Sequence, residues 1–385
     1  MKFDFAVFGA TGMQGRIVTK DLLKNGYSVL MCGRDKNRVR DYLKKYNQKT
    51  SFAYTDLGDI KSAVKVIKNS GTKVVITCAE EYWDLNALKV CIEAGAHSID
   101  LGSTVPMAKQ QLALDPLLKK KNLIHITGCG SIPGIGNVML RYAYDKFDKI
   151  DTIKFGFAWN SNIKKFVVPF SIQSIIQEFT MPALYFRNGK IKEQPALSSI
   201  ENIYHRAIGK QKEFKIGHHP ETYTFYSYCK SKGVKNIELY ASFPDHSLDK
   251  ILTMMELGFG SKKPINYNGT KIVPVNFLTE LLKRIKYPLG YTETENLWVL
   301  IQGKHKGKKR EILMECIVPP LKGWEDAGCN IDTGMPASII AQMIFNGIIS
   351  EPGAHSPEDI VPIEPFFKEL RKRKMLVYEN GKVIN

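Results

Sequence analysis

Cysteine spacing that would support a disulfide or zinc framework is missing from this sequence. The seven cysteines (Cys32, Cys78, Cys91, Cys129, Cys229, Cys316 and Cys329) are odd in number, scattered, and never arranged as CxxC, which argues against both. No uninterrupted apolar run approaches the roughly 18 residues that a membrane helix needs. The amino-terminal stretch MKFDFAVFGATG runs from an apolar segment straight into a glycine loop. It has no small-residue cleavage site, so no signal peptide is expected. Internal repeats and low-complexity linkers are likewise lacking. The scarcer charge is the acidic one, with 38 Asp+Glu against 55 Lys+Arg and a formal net charge of +17. A cytoplasmic protein is the expectation.

What is present is ordinary globular material. A chain of 385 residues implies two to three domains at roughly 150 residues each. Hydrophobic residues make up 44% and charged residues 24%, enough for a core and too apolar for disorder. The basic excess collects in Lys119-Lys120-Lys121, Lys262-Lys263, Lys304 to Arg310 and Lys368 to Lys374. Such runs usually form solvated faces or loops. No RNA-reading aromatic motif or zinc-finger spacing accompanies them. The charge therefore favours a small anionic substrate, with no nucleic acid or membrane as partner.

The amino terminus carries the clearest motif. Phe3 to Phe8 reads as a strand, Gly9-Ala10-Thr11-Gly12-Met13-Gln14-Gly15 as a loop, and Arg16 to Lys24 as a helix with apolar Ile17, Val18, Leu22 and Leu23. Asn25-Gly26 stops that helix and Tyr27 to Met31 starts a second strand. Strand, glycine loop, helix and strand form the βαβ unit of a dinucleotide-binding fold. In it Gly9 permits a tight turn, Gly12 clears space for a pyrophosphate, and Gly15 lets helix and strand pack closely. The helix N-terminus then offers free N–H groups to the phosphates. Cofactor contacts are expected from Gly9, Thr11, Gly12, Met13, Gln14 and Gly15. After the second strand comes Cys32-Gly33-Arg34-Asp35, with Arg38 beyond it. Arginines there suit a 2′-phosphate, so NADP(H) is favoured. Asp35 keeps NAD(H) open, because a carboxylate at that point can accept from a ribose 2′-OH.

The alternation continues. Phe52 to Tyr54, Val74 to Cys78, Ser98 to Leu101 and Leu123 to Ile126 read as strands. Helices are expected at Ile60 to Lys68, Leu85 to Ala94 and Leu112 to Lys120. The fold class is α/β, a Rossmann-type doubly wound parallel sheet. Ligands of such sheets sit at the carboxyl ends of the strands. That places Asp56 near the adenine and Cys78-Ala79 near the nicotinamide ribose. Asp100 to Ser103 and Gly128 to Ser131 then lie at the reacting end.

From Asp151 the pattern changes to a second, α+β domain with a mixed or antiparallel sheet. Strands are expected at Ile153 to Ala158 and Ala183 to Phe186, and helices at Ile172 to Phe179, Leu248 to Met255 and Asn276 to Ile285. Leu297 to Gln302 and Arg310 to Val318 flank the basic stretch Gly303 to Lys309 as a hairpin. Asp332 or Thr333 would cap a helix from near Pro336 to Asn346. The expected division is 1–150 for the dinucleotide domain, completed by 325–385, and 151–324 for substrate binding and dimerisation.

Several segments resemble the saccharopine dehydrogenase-like oxidoreductases, which include saccharopine reductase, carboxynorspermidine dehydrogenase and lysine dehydrogenases. They are the glycine loop, Val75 to Ala79 with Asp84 to Gly95, Gly128 to Asn137, Pro169 to Ser171, Arg187 to Lys190, His219 to Tyr223, Asp332 to Ala337 and Pro357 to Asp359. The resemblance implies hydride transfer at a carbon–nitrogen centre of an amino-acid or polyamine conjugate, by a homodimer, with a role in lysine metabolism. It also implies that the carboxyl-terminal segment returns to the nucleotide domain. Asp100 and Cys129 are the candidate catalytic residues, with His125 and His219 as further proton carriers. Ser103, Ser131, Asn137, Arg187 and His219 are candidates for substrate binding. No metal is expected, since His218-His219 has no further ligands at useful spacing. The chain departs from the family at Ile132, where saccharopine reductases carry an aspartate, at Glu80-Glu81, and in Phe155 to Asn160. These departures leave a second reading open, a dinucleotide-binding regulator without turnover.

Overall fold

The computed structural model describes residues 2–46, 49–102, 104–168, 172–217 and 219–385. Ser103 and His218 therefore lie outside the described residues, as does the stretch 169–171. The first half supplies β1 (Phe5–Phe8), β2 (Val29–Gly33), β3 (Thr50–Tyr54), β4 (Val74–Thr77), β5 (His97–Asp100) and β6 (Ile124–Ile126). All four residues of β1 and of β4 are buried. Such short runs of apolar and β-branched residues suit central parallel strands covered on both faces.

The middle of the chain supplies β7 (Lys149–Ser161), β8 (Ala183–Arg187), β9 (Lys190–Gln194), β10 (Ile200–His205), β11 (Gly209–Lys215) and β12 (Asn236–Ser242). A small hairpin, β13 (Ile265–Tyr267) and β14 (Thr270–Ile272), precedes β15 (Glu293–His305) and β16 (Lys308–Val318). Short β17 (Gly353–His355), β18 (Leu376–Glu379) and β19 (Lys382–Val383) close the chain.

The first sheet has seven strands in the order β17-β6-β5-β4-β1-β2-β3, and every pairing in it is parallel. Strand order reverses between β1 and β4, which is the crevice where open α/β sheets bind ligands. The second sheet runs β10-β11-β12-β7-β15-β16-β18-β19, with β8 and β9 attached through β12. It is mixed, because β12 lies parallel to β7 while β15 lies antiparallel to it. The carboxyl-terminal segment thus serves both sheets, first through β17 and then through β18 and β19.

Two helices depart from the sequence expectation. The single helix expected at 112–120 is two, Val105–Leu112 and Asp115–Lys120. Pro116 has no N–H to donate to the carbonyl of Leu112, so the ladder breaks before it and restarts there. The helix expected from Pro336 begins earlier, at Ile331, and carries Pro336 in its interior. Gly334 explains the early start: a Cβ there would sit 2.4 Å from Ile17 Cγ2. Its absence lets this helix lie directly on helix Met13–Lys24. Ile339, Ile340 and Ile344 are buried, each contributing about 1.5–3 kcal/mol, so packing holds this helix despite its proline. The hairpin β10–β11, strand β12 and helix Glu221–Cys229 had no clear sequence signal.

Candidate active site

The glycine loop is shaped by crowding of its own backbone. Gly9 has φ +72°, and a Cβ on it would lie 2.5 Å from the Cys78 carbonyl oxygen. A Cβ on Gly15 would lie 2.3 Å from the Gly9 carbonyl oxygen. Gly12 differs, since its nearest such contact is 3.3 Å. Apart from that Gly9 oxygen, no atom beyond its own helix and chain neighbours lies within 4 Å of the position. No side chain caps helix Met13–Lys24 at Gly12, which leaves its N-terminal donors for an anion. Thr11 packs against Gly33, where a Cβ would come within 3.0 Å of its methyl. These residues fit a bound pyrophosphate.

The adenosine side is equally defined. Arg34 and Arg38 are exposed beyond β2, and neither is in an ion pair among the described residues. Asp35 spends a carboxylate oxygen on the backbone N–H of Asn37 at 2.9 Å. Asp56 likewise accepts from Gly58 N at 2.9 Å. Cys78 and Ala79 present their backbone to Gly9, and burial pushes the Cys78 thiol upward, so it stays protonated.

The loops after β5 and β6 form the other wall. Gly102 and Gly128 both have positive φ, and added Cβ atoms would strike the ring of Pro133 at 2.4 and 2.8 Å. Asp100 fastens these loops. It accepts from Gly102 N at 2.9 Å, Gly128 N at 2.8 Å, Thr127 Oγ1 at 3.1 Å and Gln111 Nε2 at 2.7 Å. A carboxylate so fully hydrogen-bonded and only 1% exposed organises the loop and has no free face for a substrate proton. Cys129 is fully buried, and burial, with the Asp100 charge, holds its thiol well above the ordinary value. His125 is buried and kept neutral, burial outweighing Asp100. Both expected catalytic residues are thus buried, Asp100 hydrogen-bonded to the two loops and Cys129 to the Ile126 carbonyl.

Four of the expected substrate residues lie among the described ones, and the structure places them in different settings. Asn137 is buried, with Oδ1 accepting from Gly134 N and Nδ2 donating to Glu358 Oε2, both at 2.7 Å; it caps a helix. Arg187 pairs with Glu238 at 3.3 Å and sits opposite Asn236, whereas Ser242 marks the other end of β12. It belongs to the sheet face, away from the crevice. Ser131 stands partly exposed, its Oγ 3.1 Å from Thr333 Oγ1. His219 lies near Glu81, which follows β4.

His219 is the centre of an acidic group that sequence reasoning missed. Its Nδ1 is 3.6 Å from Glu221 Oε2, and both oxygens of buried Glu221 have no hydrogen-bond partner. Burial pushes the His219 pKa down, but the carboxylates of Glu221, Glu178 and Glu81 outweigh it, and the net shift is upward. Burial lifts Glu178 to about 8, partly offset by His219. Asp84 and Glu81 are also raised, burial being the first cause in each. The unpartnered Trp159 indole and Ser242 hydroxyl lie at the adjoining ends of β7 and β12. Glu81 comes from beyond β4 and Glu178 and Glu221 from the second domain, so the two halves build this cluster together. One signal was legible: Glu293 and Glu295 stand in register with core-facing Leu297, Val299 and Ile301 on one face of β15. Glu178, inside an apolar helix, offered none.

A dinucleotide cradle at the switch point of a parallel sheet, closed by a second domain bearing buried acids and bases, defines a two-domain oxidoreductase that uses a nicotinamide dinucleotide. Profiles described as the saccharopine dehydrogenase NADP binding domain and the saccharopine dehydrogenase C-terminal domain match residues 5–126 and 130–376. The chain belongs to the saccharopine dehydrogenase family. Carboxynorspermidine synthase of Vibrio alginolyticus is 25% identical over 352 residues, spanning 87% of this chain and 83% of that protein. Carboxyaminopropylagmatine dehydrogenase of a Synechocystis species is 24% identical over 336 residues, spanning 84% and 83%. The L-Glu-forming saccharopine dehydrogenase of Saccharomyces cerevisiae shares the fold, with a TM-score of 0.76 at 12% identity and full coverage of both chains. Among the described residues no helix is long and apolar enough to cross a membrane, and no cluster has the arrangement to hold a metal ion.

Proposed function

We propose that this enzyme is an NADP(H)-dependent oxidoreductase acting on the carbon–nitrogen bond of a carboxyl-bearing, cationic amine conjugate of the polyamine type. One observation carries the reading. The carboxyls of Glu221, Glu178 and Glu81 gather around His219, yet one buried oxygen of Glu178 and both of Glu221 have no hydrogen-bond partner among the described residues. Buried carboxyl oxygens without hydrogen bonds are costly, and an ammonium group donating to them would supply the missing bonds. The net charge of +17 thus describes the outer surface, while the pocket has the opposite sign. The anionic substrate expected from composition becomes a cationic amine that carries its carboxylate elsewhere. The names of both curated relatives, which denote carboxylated amines, agree with this reading.

Preference for NADP(H) follows from Arg34 and Arg38, free to meet a 2′-phosphate, and from Asp35, whose carboxylate is engaged by Asn37 N. When bound, the nicotinamide supplies or accepts the hydride. The chain's own residues do the rest. Gly12 and the helix N-terminus seat the pyrophosphate, Asp100 fixes the loops over the nicotinamide end, and His219 with Glu221 orients the amine.

The test pairs diamines and guanidino-amines with carboxyl-bearing aldehydes and follows NADPH oxidation. Turnover with cationic amines, and none with neutral isosteres, is the expected result. Tight NADPH binding without turnover of any pair would overturn the proposal and indicate a dinucleotide-binding regulator.

A further inference from the structure

Glu295 and Asp332 meet where the second sheet touches the glycine loop. Glu295 comes from the start of β15, and Asp332 is the second residue of helix Ile331–Phe345. Both are buried, and their carboxyls hydrogen-bond to each other. Two carboxyls in such contact inside a protein do not both ionise at neutral pH; they share a proton.

This pair is connected to the crevice. Thr333 Oγ1 donates to Asp332 Oδ1 at 3.1 Å. Ser131 Oγ lies 3.1 Å from Thr333 Oγ1. The oxygens therefore form an unbroken chain from a buried acid pair to a partly exposed hydroxyl on the loop after β6. The outlet also adjoins the cofactor loop, because the Thr333 methyl abuts Gly130 and Gly334 abuts Gln14. Gln14 Nε2 in turn donates to Asn330 Oδ1 at 3.2 Å.

We propose that the Glu295–Asp332 pair is a proton store for the carbon–nitrogen chemistry, filled and emptied through Thr333 and Ser131. The inference rests on the proposed reaction at a cationic amine. An ammonium substrate must lose one proton before its nitrogen can attack a carbonyl. That proton passes to Ser131, as Ser131 passes its own to Thr333 and Thr333 passes its own to Asp332. The free amine then adds to the carbonyl carbon to give a carbinolamine. The carbon–oxygen bond breaks with its electron pair leaving on oxygen, while the nitrogen lone pair forms the carbon–nitrogen double bond. The stored proton returns along the same chain to that oxygen, and water leaves. Ammonium plus carbonyl gives iminium plus water, so atoms and charge balance and the pair ends as it began.

The surroundings suit a store. Burial raises both carboxyls, Asp332 to about 7 and Glu295 well above its ordinary value. Glu293 faces the pair from the same strand, and Glu178 faces it from helix Ile172–Thr180. The Cys316 and Cys329 thiols complete the surroundings, and burial keeps both protonated. The pair as a whole therefore takes up and releases its proton, burial favouring the protonated form of both carboxyls. Glu295, Asp332 and Thr333 act through Ser131 and are positioning residues.

Two measurements test the proposal. Thr333→Val removes the relaying hydroxyl and leaves both carboxyls in place. We expect kcat to fall about 100-fold or more, with the limb of its pH profile near neutrality lost and with KM and NADPH affinity unchanged. Thr333→Ser should restore both. A kcat and pH profile like those of the parent in Thr333→Val would overturn the proposal. The second measurement needs no substrate: infrared spectra of the purified chain should show a carboxylic-acid band that titrates near neutral pH and disappears in Asp332→Asn. Absence of that band in the parent would also overturn it. If no amine is turned over while the band is present, the substrate reading fails and the shared proton stands.

Discussion

Arg373 reaches from the carboxyl-terminal segment to grip Asp21 on the first helix with both arms of its guanidinium. Nε lies 2.9 Å from Oδ1 and Nη2 lies 2.8 Å from Oδ2. Arg373 also holds Glu369 at 2.8 Å, so a late segment of the chain locks the helix that carries the cofactor loop. Both members of the pair are buried. Leaving one buried charge without its partner costs about 3–5 kcal/mol. We expect Arg373→Met to lose that much in urea unfolding, and Asp21→Leu added to it to recover most of the loss. A loss below about 1 kcal/mol, the range of exposed pairs, would show that the pair is not an essential tie.

The three loop glycines should separate by experiment. Gly15→Ala puts a methyl 2.3 Å from the Gly9 carbonyl, so the helix must move and stability should fall by about 2 kcal/mol or more. At Gly12 the corresponding approach is 3.3 Å. Gly12→Asp should therefore keep most of the melting temperature while weakening NADPH binding at least tenfold, because the new carboxylate meets the pyrophosphate. Equal loss of stability in the two variants would contradict this division of labour.

The proposed preference for NADP(H) rests on two exposed arginines, Arg34 and Arg38. A hydrogen bond to a charged group contributes about 1.5–3 kcal/mol. Arg34→Ala should thus weaken NADPH binding about 10- to 100-fold and leave NADH nearly unchanged, with Arg38→Ala smaller in the same direction. Fluorescence titration with both cofactors reads the ratio. Parallel weakening for both would mean that the arginines do not see the 2′-phosphate.

Glu358 links stability to pH. It is fully buried, accepts from Asn137 at 2.7 Å, and has its other oxygen unpartnered; burial raises it to about 7 from an ordinary 4.5. A carboxyl raised in the folded state holds a proton that the unfolded chain has already released. Its contribution is therefore complete below pH 4.5 and is lost as pH rises to about 7. Asp332 and Glu178, raised to about 7 and 8, act with the same sign. Stability should fall across this window at up to about 1.4 kcal/mol per pH unit for each group. Glu358→Gln should flatten the fall, as read by unfolding at pH 5, 6, 7 and 8. An unchanged slope would remove Glu358 from the account.

The local half of the protein was legible in the residues. Strand, glycine loop and helix are encoded by contiguous spacing, and Gly9 and Gly15 do what such spacing requires. The hairpin of β15 and β16 also followed from alternation around a basic turn. Less local features were missed. Hairpin β10–β11 carries mostly polar residues, and the early start of helix Ile331–Phe345 depends on a contact between Gly334 and Ile17, far apart in sequence.

The amino-acid sequence by itself determined the parallel sheet, the dinucleotide loop and the family, since each is written in short patterns that physical chemistry reads locally. Only the tertiary structure decided which polar residues remain free for chemistry. Asp100, Cys129 and Asn137 had the right residue types, yet folding buries all three and engages them in hydrogen bonds within their own loops and helix. Glu178 carried no local mark, Glu295 only its place in an alternating strand and Asp332 only that of a helix cap, because their meaning comes from meeting across domains. The charge excess illustrates the same division: composition reports the whole surface, whereas a pocket's sign is set by the few side chains that folding encloses without partners.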